Sequence, residues 1–304
     1  MTQVLHRDIS PWQAEFTKAQ VLPPEYISHI GRVLSNTLMQ QSLHRIGASQ
    51  PSVLGVYGAQ GSGKSTLAAY IAKRHEHSGF GKCVVLSIDD FYLPQRQRKA
   101  LARDIHPLFV TRGVPGTHDV SLLQTTLDQL IQFDAPVAIP RFDKLADERV
   151  PEREFVEIDV APSLIILEGW CIGARPQSEA ELVTPVNSLE RTEDSDGVWR
   201  RYVNSQLATE YLPVWTRLNE LWGLVAPGFE VVQDWRMEQE IKLGEQTGRD
   251  TMTVAQIRRF IQHYERLTRS SLTQIHEMAD VCLHLDVQRT ITRVVGGKRV
   301  HYEY

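Results

Sequence analysis

Apolar residues along this chain come in two textures. Unbroken runs at 53–57, 83–88 and 164–167 have the length and composition of strands buried on both faces. Elsewhere apolar residues recur three and four apart, the period of a helix with one buried face. Tyr26, Ile27, Ile30, Val33, Leu34 and Leu38 form one such stripe behind Pro23 and Pro24, and residues 1–50 as a whole read as helical. Leu122, Leu123, Leu127, Leu130 and Ile131 form another over 121–133, with Ser121 or Asp119 placed to cap it. The same reading predicts helices at 95–103, 199–222, 229–243 and 254–275, with a break at 244–250. It predicts strands at 136–140, 224–226 and 279–286, and an edge strand at 290–295. Residues 75–82 and 112–119 are polar and glycine-bearing, and read as a turn and a loop. Residues 145–159 read as a charged hairpin or loop, and the acidic stretch 175–197 as a mobile surface insertion. Strands alternating with helices predict an α/β fold with a mainly parallel sheet flanked by helices.

The chemistry begins where the first strand ends. Gly58, Ala59, Gln60, Gly61, Ser62, Gly63, Lys64 and Ser65 spell G-A-Q-G-S-G-K-S, a match to the phosphate-binding pattern G-x-x-x-x-G-K-[ST], and Thr66 opens the helix behind it. Glycines let the backbone curl so that successive N–H groups converge on phosphate oxygens. The following helix turns its positive end to the same place. Lys64 would reach the β- and γ-phosphates, and the Ser65 hydroxyl would bind Mg²⁺.

Two further strands end in acids. Residues 83–88 run into Asp89 and Asp90, and 164–167 into Glu168. Ligands of open α/β sheets sit at the carboxyl ends of the strands, so these acids should emerge beside the bound phosphates. A carboxylate there can take a proton from an attacking hydroxyl or hold Mg²⁺, and Glu168 follows the Walker B pattern. The alternative is that Asp89 and Asp90 cap a helix or a turn, but two acids at the predicted ligand edge favour function. Arg112 and His118 stand in the 112–119 loop and Arg141 follows the 136–140 strand, where each could meet an anionic substrate.

Composition narrows the partners. The chain has 304 residues, 33 basic against 37 acidic, and a net charge of −4, which is no electrostatic footprint for nucleic acid. An apolar fraction of 42% supports a substantial core. The three cysteines, Cys83, Cys171 and Cys282, are far apart, without metal spacing or a disulfide framework, which points to reducing cytoplasm. The first residues hold no long apolar run of a signal peptide, and no stretch approaches 18 apolar residues, so no membrane contact is expected.

In chain order the motifs are the phosphate loop, S-I-D-D-F-Y-L, R-G-V-P-G-T-H-D, P-R-F-D-K, I-I-L-E-G-W, Y-V-N-S-Q-L, D-W-R-M-E-Q-E and A-D-V-C-L-H-L-D. Over roughly residues 50–290 they resemble the P-loop kinases that include uridine kinase, phosphoribulokinase and pantothenate kinase. D-D-F-Y, R-G-x-x-G-T-H-D and E-G-W together are most similar to the D-glycerate 3-kinase branch. The resemblance implies a P-loop NTPase fold with a helical lid, ATP and Mg²⁺, and transfer to the hydroxyl of a small molecule. It implies Asp89 as catalytic base and Arg236 as a lid arginine closing on the phosphates. It organises the chain as an N-terminal helical extension over 1–50 and a kinase domain over 51–304. Lid and substrate-loop insertions fall near 92–120, 141–160 and 236–270.

The expected site therefore has Asp89, Lys64 and Arg236 in catalysis, the loop 58–66 on the nucleotide, and Ser65 and Glu168 on the metal. Asp90, Tyr92, Arg112, Thr117, His118, Asp119, Arg141 and Asp143 are the candidates to hold the acceptor. An ATPase that drives or switches a partner is the competing class, and a binding protein without turnover a third. The chain has no guanine-reading N-K-x-D, and its two acids beside the phosphate loop favour a hydroxyl acceptor. D-glycerate or a related hydroxy acid fits best, with a nucleoside or a pantothenate-like acceptor as the alternative. Oligomeric state is left open.

Overall fold

The computed structural model describes residues 9–48, 51–247 and 252–299. Three helices come first: α1 (Pro11–Ala19), α2 (Tyr26–Leu34) and α3 (Thr37–Ala48). Then follow β1 (Ser52–Gly58), α4 (Lys64–His77), β2 (Lys82–Ser87), α5 (Gln95–Asp104) and α6 (Val120–Gln132). Four short strands, β3 (Val137–Ile139), β4 (Phe142–Asp143), β5 (Glu148–Arg149) and β6 (Val156–Ile158), precede the long β7 (Pro162–Gly169). The rest is α7 (Glu179–Val183), α8 (Ser188–Glu193), α9 (Val198–Gln206), α10 (Leu212–Trp215), β8 (Glu220–Val225), α11 (Glu230–Thr247), α12 (Val254–Met278), β9 (Val281–Leu285) and β10 (Ile291–Gly296).

Six strands form the main sheet in the order β10-β9-β8-β1-β7-β2. All pairs are parallel except the β9–β10 edge. β1 lies inside, every residue of it buried, because its two faces feed two cores. Val53 and Tyr57 join α6 and α12 residues on one face; Leu54 and Val56 join α2, α3 and α4 residues on the other. That is why the strand reads as one unbroken apolar run. The helices over 11–48 are bound into the second core by Phe16, Ile27, Ile30, Met39 and Ile46. Trp222 of β8 donates to Ser42 of α3 (2.7 Å), and Ser42 donates to Glu220 (2.7 Å), which also pairs with Arg45. This network gives two buried polar groups partners where neither could reach water.

Register places the chemistry. Val56 and Ser87 both pair with Glu168 across β7, so the phosphate loop, Asp89 and Glu168 leave the sheet at one edge.

Four expectations need correction. The helix expected over 199–222 ends at Trp215: a π-helical turn, Leu207–Tyr211, joins α9 to α10, and β8 starts at Glu220 rather than 224. A run such as Leu221-Trp222-Gly223-Leu224 fits helix and strand periods alike, and close packing decides. A Cβ on Gly223 would stand 2.7 Å from Ile275, so β8 lies directly under α12. The 136–140 strand exists but stands outside the main sheet, paired antiparallel with β6. The break expected from 244 does not interrupt α11, which continues to Thr247; 248–251 lie outside the described residues, as do 1–8 of the extension.

The acidic stretch 175–197 is anchored into the interior by a few buried side chains. It forms α7 and α8, buries Leu182 and Leu189, and encloses Glu190 and Asp194. Arg266 of α12 grips Glu190 with two 2.7 Å bonds and donates to the carbonyls of Glu181 and Thr184. Asp194 pairs with Arg200 at 2.9 Å and accepts from the Trp199 N–H. Buried carboxylates persist only when paired and hydrogen-bonded in this way.

Candidate active site

Gly61 and Gly63 take φ of +77° and +88°, the left-handed backbone that lets the loop after β1 curl onto the α4 N-terminus. Gly61 is also hemmed in: a Cβ there would lie 2.6 Å from Trp235 Cβ of α11. Arg289, in the β9–β10 turn, donates from Nε to the Gly61 carbonyl at 2.6 Å. The phosphate loop is thus braced from outside by α11 and by the sheet edge. Ser65 Oγ donates to Glu168 Oε1 at 3.1 Å, so the loop serine and the strand-end acid meet as the motif spacing predicts. Glu168 Oε2 is buried with no hydrogen-bond partner among the described residues.

Asp89 and Asp90 sit on a single 3₁₀ turn, Ile88–Phe91, after β2, and their carboxylates diverge. Asp89 accepts from Tyr92 Oη (2.8 Å) and Lys144 Nζ (2.6 Å). Burial pushes its pKa up, but the charges of Lys144 and Lys64 overcome that and hold it well below the usual carboxylate range. Asp90 instead accepts from Arg141 (2.9 Å) and the Phe142 N–H (3.2 Å). It anchors the β4–β5 hairpin, and Arg141 is engaged in doing so. Asp143 organises the hairpin turn by accepting from the N–H groups of Leu145 and Ala146.

The hairpin carries Lys144 over Asp89. Lys144 is the residue that sequence reasoning missed as a site member. It was visible only as one charge in P-R-F-D-K, because its place depends on the hairpin folding back across the 3₁₀ turn. The charge of Asp89 raises the Lys144 pKa, so the ammonium stays charged. Arg112 pairs with Asp147, donates to the Lys144 carbonyl (3.2 Å) and covers the Phe142 ring at 5.5 Å. Its charge also acts on Tyr92 and Lys144, which places it at the rim of the Asp89 site.

The remaining loop candidates are corrected. Residues 113–118 are buried rather than forming an open loop over the site. Thr117 Oγ1 accepts from the Gly113 N–H and donates to Val114 O, so it braces its own turn. His118 stacks on Tyr92 with ring centroids 4.5 Å apart and shares a 2.7 Å hydrogen bond with Tyr211. Burial lowers its pKa to about 4, which leaves it without a cationic charge to offer an anion at pH 7. Asp119 caps α6 through the Leu122 N–H and pairs with Arg149. Tyr92 is buried and acts on Asp89 rather than opening into the site. The D-D-F-Y and G-T-H-D motifs are bridged backbone to backbone: Leu93 N–H donates to Thr117 O, and Asp119 N–H to Phe91 O. Arg236 lies over the Phe260 ring at 5.6 Å and pairs with Glu240 at 2.7 Å, while its neighbour Trp235 makes the contact with Gly61.

A phosphate loop whose serine meets a strand-end acid, with a second carboxylate facing its lysine across one sheet edge, defines a P-loop phosphotransferase. No family model matches the chain. The uncharacterised kinase mug58 of Schizosaccharomyces pombe is 31% identical over 229 residues, spanning 71% of this chain and 79% of that protein. The probable ATP-dependent kinase TDA10 of Saccharomyces cerevisiae is 28% identical over 228 residues, spanning 68% and 73%. The solved D-glycerate 3-kinase of Cryptococcus neoformans superposes with a TM-score of 0.72 at 23% identity, over 86% of this chain and 99% of that one, and so shares its fold. The chain belongs to the family of P-loop kinases that includes mug58, and it is an ATP-dependent small-molecule kinase. Among the described residues no helix is long and apolar enough to cross a membrane.

Proposed function

We propose that this kinase phosphorylates a hydroxyl of a small anionic metabolite, D-glycerate or a related hydroxy acid. The observation that carries the proposal is the setting of Asp89, a carboxylate facing Lys64 and ringed by the cations of Lys144 and, at the rim, Arg112. Two cations beside a hydroxyl-binding carboxylate suit an acceptor that brings its own negative charge. A nucleoside brings none. The shared fold with a D-glycerate 3-kinase supports the same choice.

The residues divide the work as follows. The backbone of 58–66 and Lys64 hold the nucleotide phosphates. Asp89 aims the acceptor hydroxyl and takes its proton as the oxygen bonds to the γ-phosphorus and the bond from that phosphorus to the bridging oxygen breaks, releasing ADP. The transition state is loose, so the proton leaves late, and a weakly basic carboxylate is adequate. Lys144 keeps Asp89 ionised before the acceptor arrives and then faces the charge of acceptor and phosphoryl group. Arg236 would swing from Glu240 toward the phosphates on closure of α11. Ser65 and Glu168 fit Mg²⁺: a hydroxyl and a carboxylate meet beside the loop, and the buried Glu168 Oε2 needs a partner that a metal-bound water would supply. Such an ion would neutralise phosphate charge.

The test is acceptor-dependent ADP release across hydroxy acids including D-glycerate, nucleosides, pantothenate and no acceptor. Release that requires a hydroxy acid is expected. Release only with a nucleoside or pantothenate would move the acceptor class, and equal release without acceptor would make the protein an ATPase.

A further inference from the structure

Helix α5 is basic, and its Arg96, Lys99 and Arg103 side chains are exposed. Arg98 is the exception, at 1% exposure. Its Nε donates to Leu93 O (3.0 Å), its Nη1 to Val110 O (2.9 Å) and its Nη2 to Asp147 O (2.8 Å). Nη2 also meets the Asp147 carboxylate at 2.9 Å. A buried charge is kept only with pairing as full as this.

The three carbonyls come from three separate segments, and each segment carries a group of the acceptor side. Leu93 follows Tyr92, which donates to Asp89. Val110 stands just before Arg112, and Asp147 just after the hairpin tip that carries Lys144. One guanidinium therefore sets the spacing of the carboxylate, the rim arginine and the lysine. An apolar side chain at 98 would fill the same space and tie nothing together.

Asp147 extends the link. Its Oδ1 meets Arg112, and Arg112 donates to the Lys144 carbonyl at 3.2 Å. Asp147 has φ of +55°, a left-handed backbone that Asp accepts more readily than most residues. The tip itself faces solvent, with Leu145 56% exposed, so the place of Lys144 over Asp89 depends on how the hairpin is tied behind it.

Resting on the acceptor site described above, we propose that Arg98, acting through Asp147, is a positioning residue for the acceptor: it holds Lys144 and Arg112 in place around Asp89. Lysine is no substitute, because one ammonium cannot span three carbonyls and a carboxylate as the planar fork does.

The test uses the full chain with Arg98→Lys, which keeps the charge and loses the fork. Acylation of Lys144 by acetic anhydride, read by mass spectrometry against the exposed Lys73, reports on the hairpin without any acceptor. A Lys144 moved off Asp89 binds its proton less tightly, so it should acylate about threefold faster relative to Lys73 at fixed pH. KM for D-glycerate should rise about fivefold, with KM for ATP within about twofold of wild type. An unchanged Lys144 ratio, or equal rises in the two KM values, would overturn the inference. A wild-type chain that releases no ADP with D-glycerate would overturn the acceptor reading instead, and the Lys144 ratio would still decide this one. Asp147→Asn serves if Arg98→Lys does not fold, because Asn suits left-handed backbone and keeps a side-chain oxygen for Arg98. It should raise the D-glycerate KM in the same way. A fall would make Asp147 a competitor of the acceptor for Arg112 and would also overturn the inference.

Discussion

Asp89→Asn separates the roles assigned to this carboxylate. The substitution keeps the side-chain shape and an oxygen for the Tyr92 hydroxyl, and removes the charge that Lys144 meets at 2.6 Å. The Asp89 and Lys144 side chains are 27% and 58% exposed, so solvent screens the pair. Exposed pairs contribute 0–1 kcal/mol, and unfolding should shift by no more than about 1 kcal/mol. Turnover should respond quite differently. Loss of a general base lowers rates by roughly 10²–10⁴, or about 2.7–5.5 kcal/mol of barrier. Because the lysines hold Asp89 below the usual carboxylate range, its proton affinity contributes little and its aim contributes most. That places the loss near the lower end, on the order of 10²–10³. Asp90→Asn should show the reverse pattern, with stability falling as Arg141 and the Phe142 N–H lose their partner, and turnover changing less. The assay is ADP release at saturating ATP and acceptor, with ADP affinity and thermal unfolding measured in parallel. A loss under about tenfold for Asp89→Asn, or a larger loss for a folded Asp90→Asn, would refute the assignment.

Other residues give independent checks. Glu168→Gln should raise the Mg²⁺ concentration for half-maximal activity more than it weakens nucleotide binding; an unchanged metal requirement would remove Glu168 from the site. Glu190→Ala should destabilise the fold by about 3–5 kcal/mol in denaturant titration, since it leaves the buried Arg266 charge without its carboxylate. A shift under about 1 kcal/mol would return the acidic stretch to the surface. For His118 the pKa falls from 6.5 to about 4 on folding. Between those values the unfolded chain binds a proton that the folded chain does not. The stability this group contributes is therefore full above about pH 6.5 and lost progressively as pH falls toward 4. His118→Phe should flatten the pH dependence of unfolding over that window, and an unchanged slope would mean that the ring is not held neutral.

What the sequence revealed and what it concealed follow one physical division. The phosphate loop, Asp89 and Glu168 were legible because each is a short motif at the end of its own apolar strand. A parallel sheet carries all such ends to one edge. Residues 175–197 misled because the arginines that draw Glu190 and Asp194 inward, Arg266 and Arg200, are remote or lie in the next helix. His118 and Asp119 looked like open loop chemistry for the same reason. Their partners, Tyr211 and Tyr92 for His118 and Arg149 for Asp119, arrive from other elements. Lys144 was hidden in a hairpin whose fold alone brings it to Asp89.

The most direct measurement of the central claim is the fate of the γ-phosphorus of ATP followed by ³¹P NMR, with D-glycerate and related hydroxy acids offered in turn. A phosphomonoester resonance should grow as the γ resonance disappears, depend on the hydroxy acid, and be lost with Asp89→Asn. Inorganic phosphate as the sole product, formed at the same rate with and without acceptor, would contradict it.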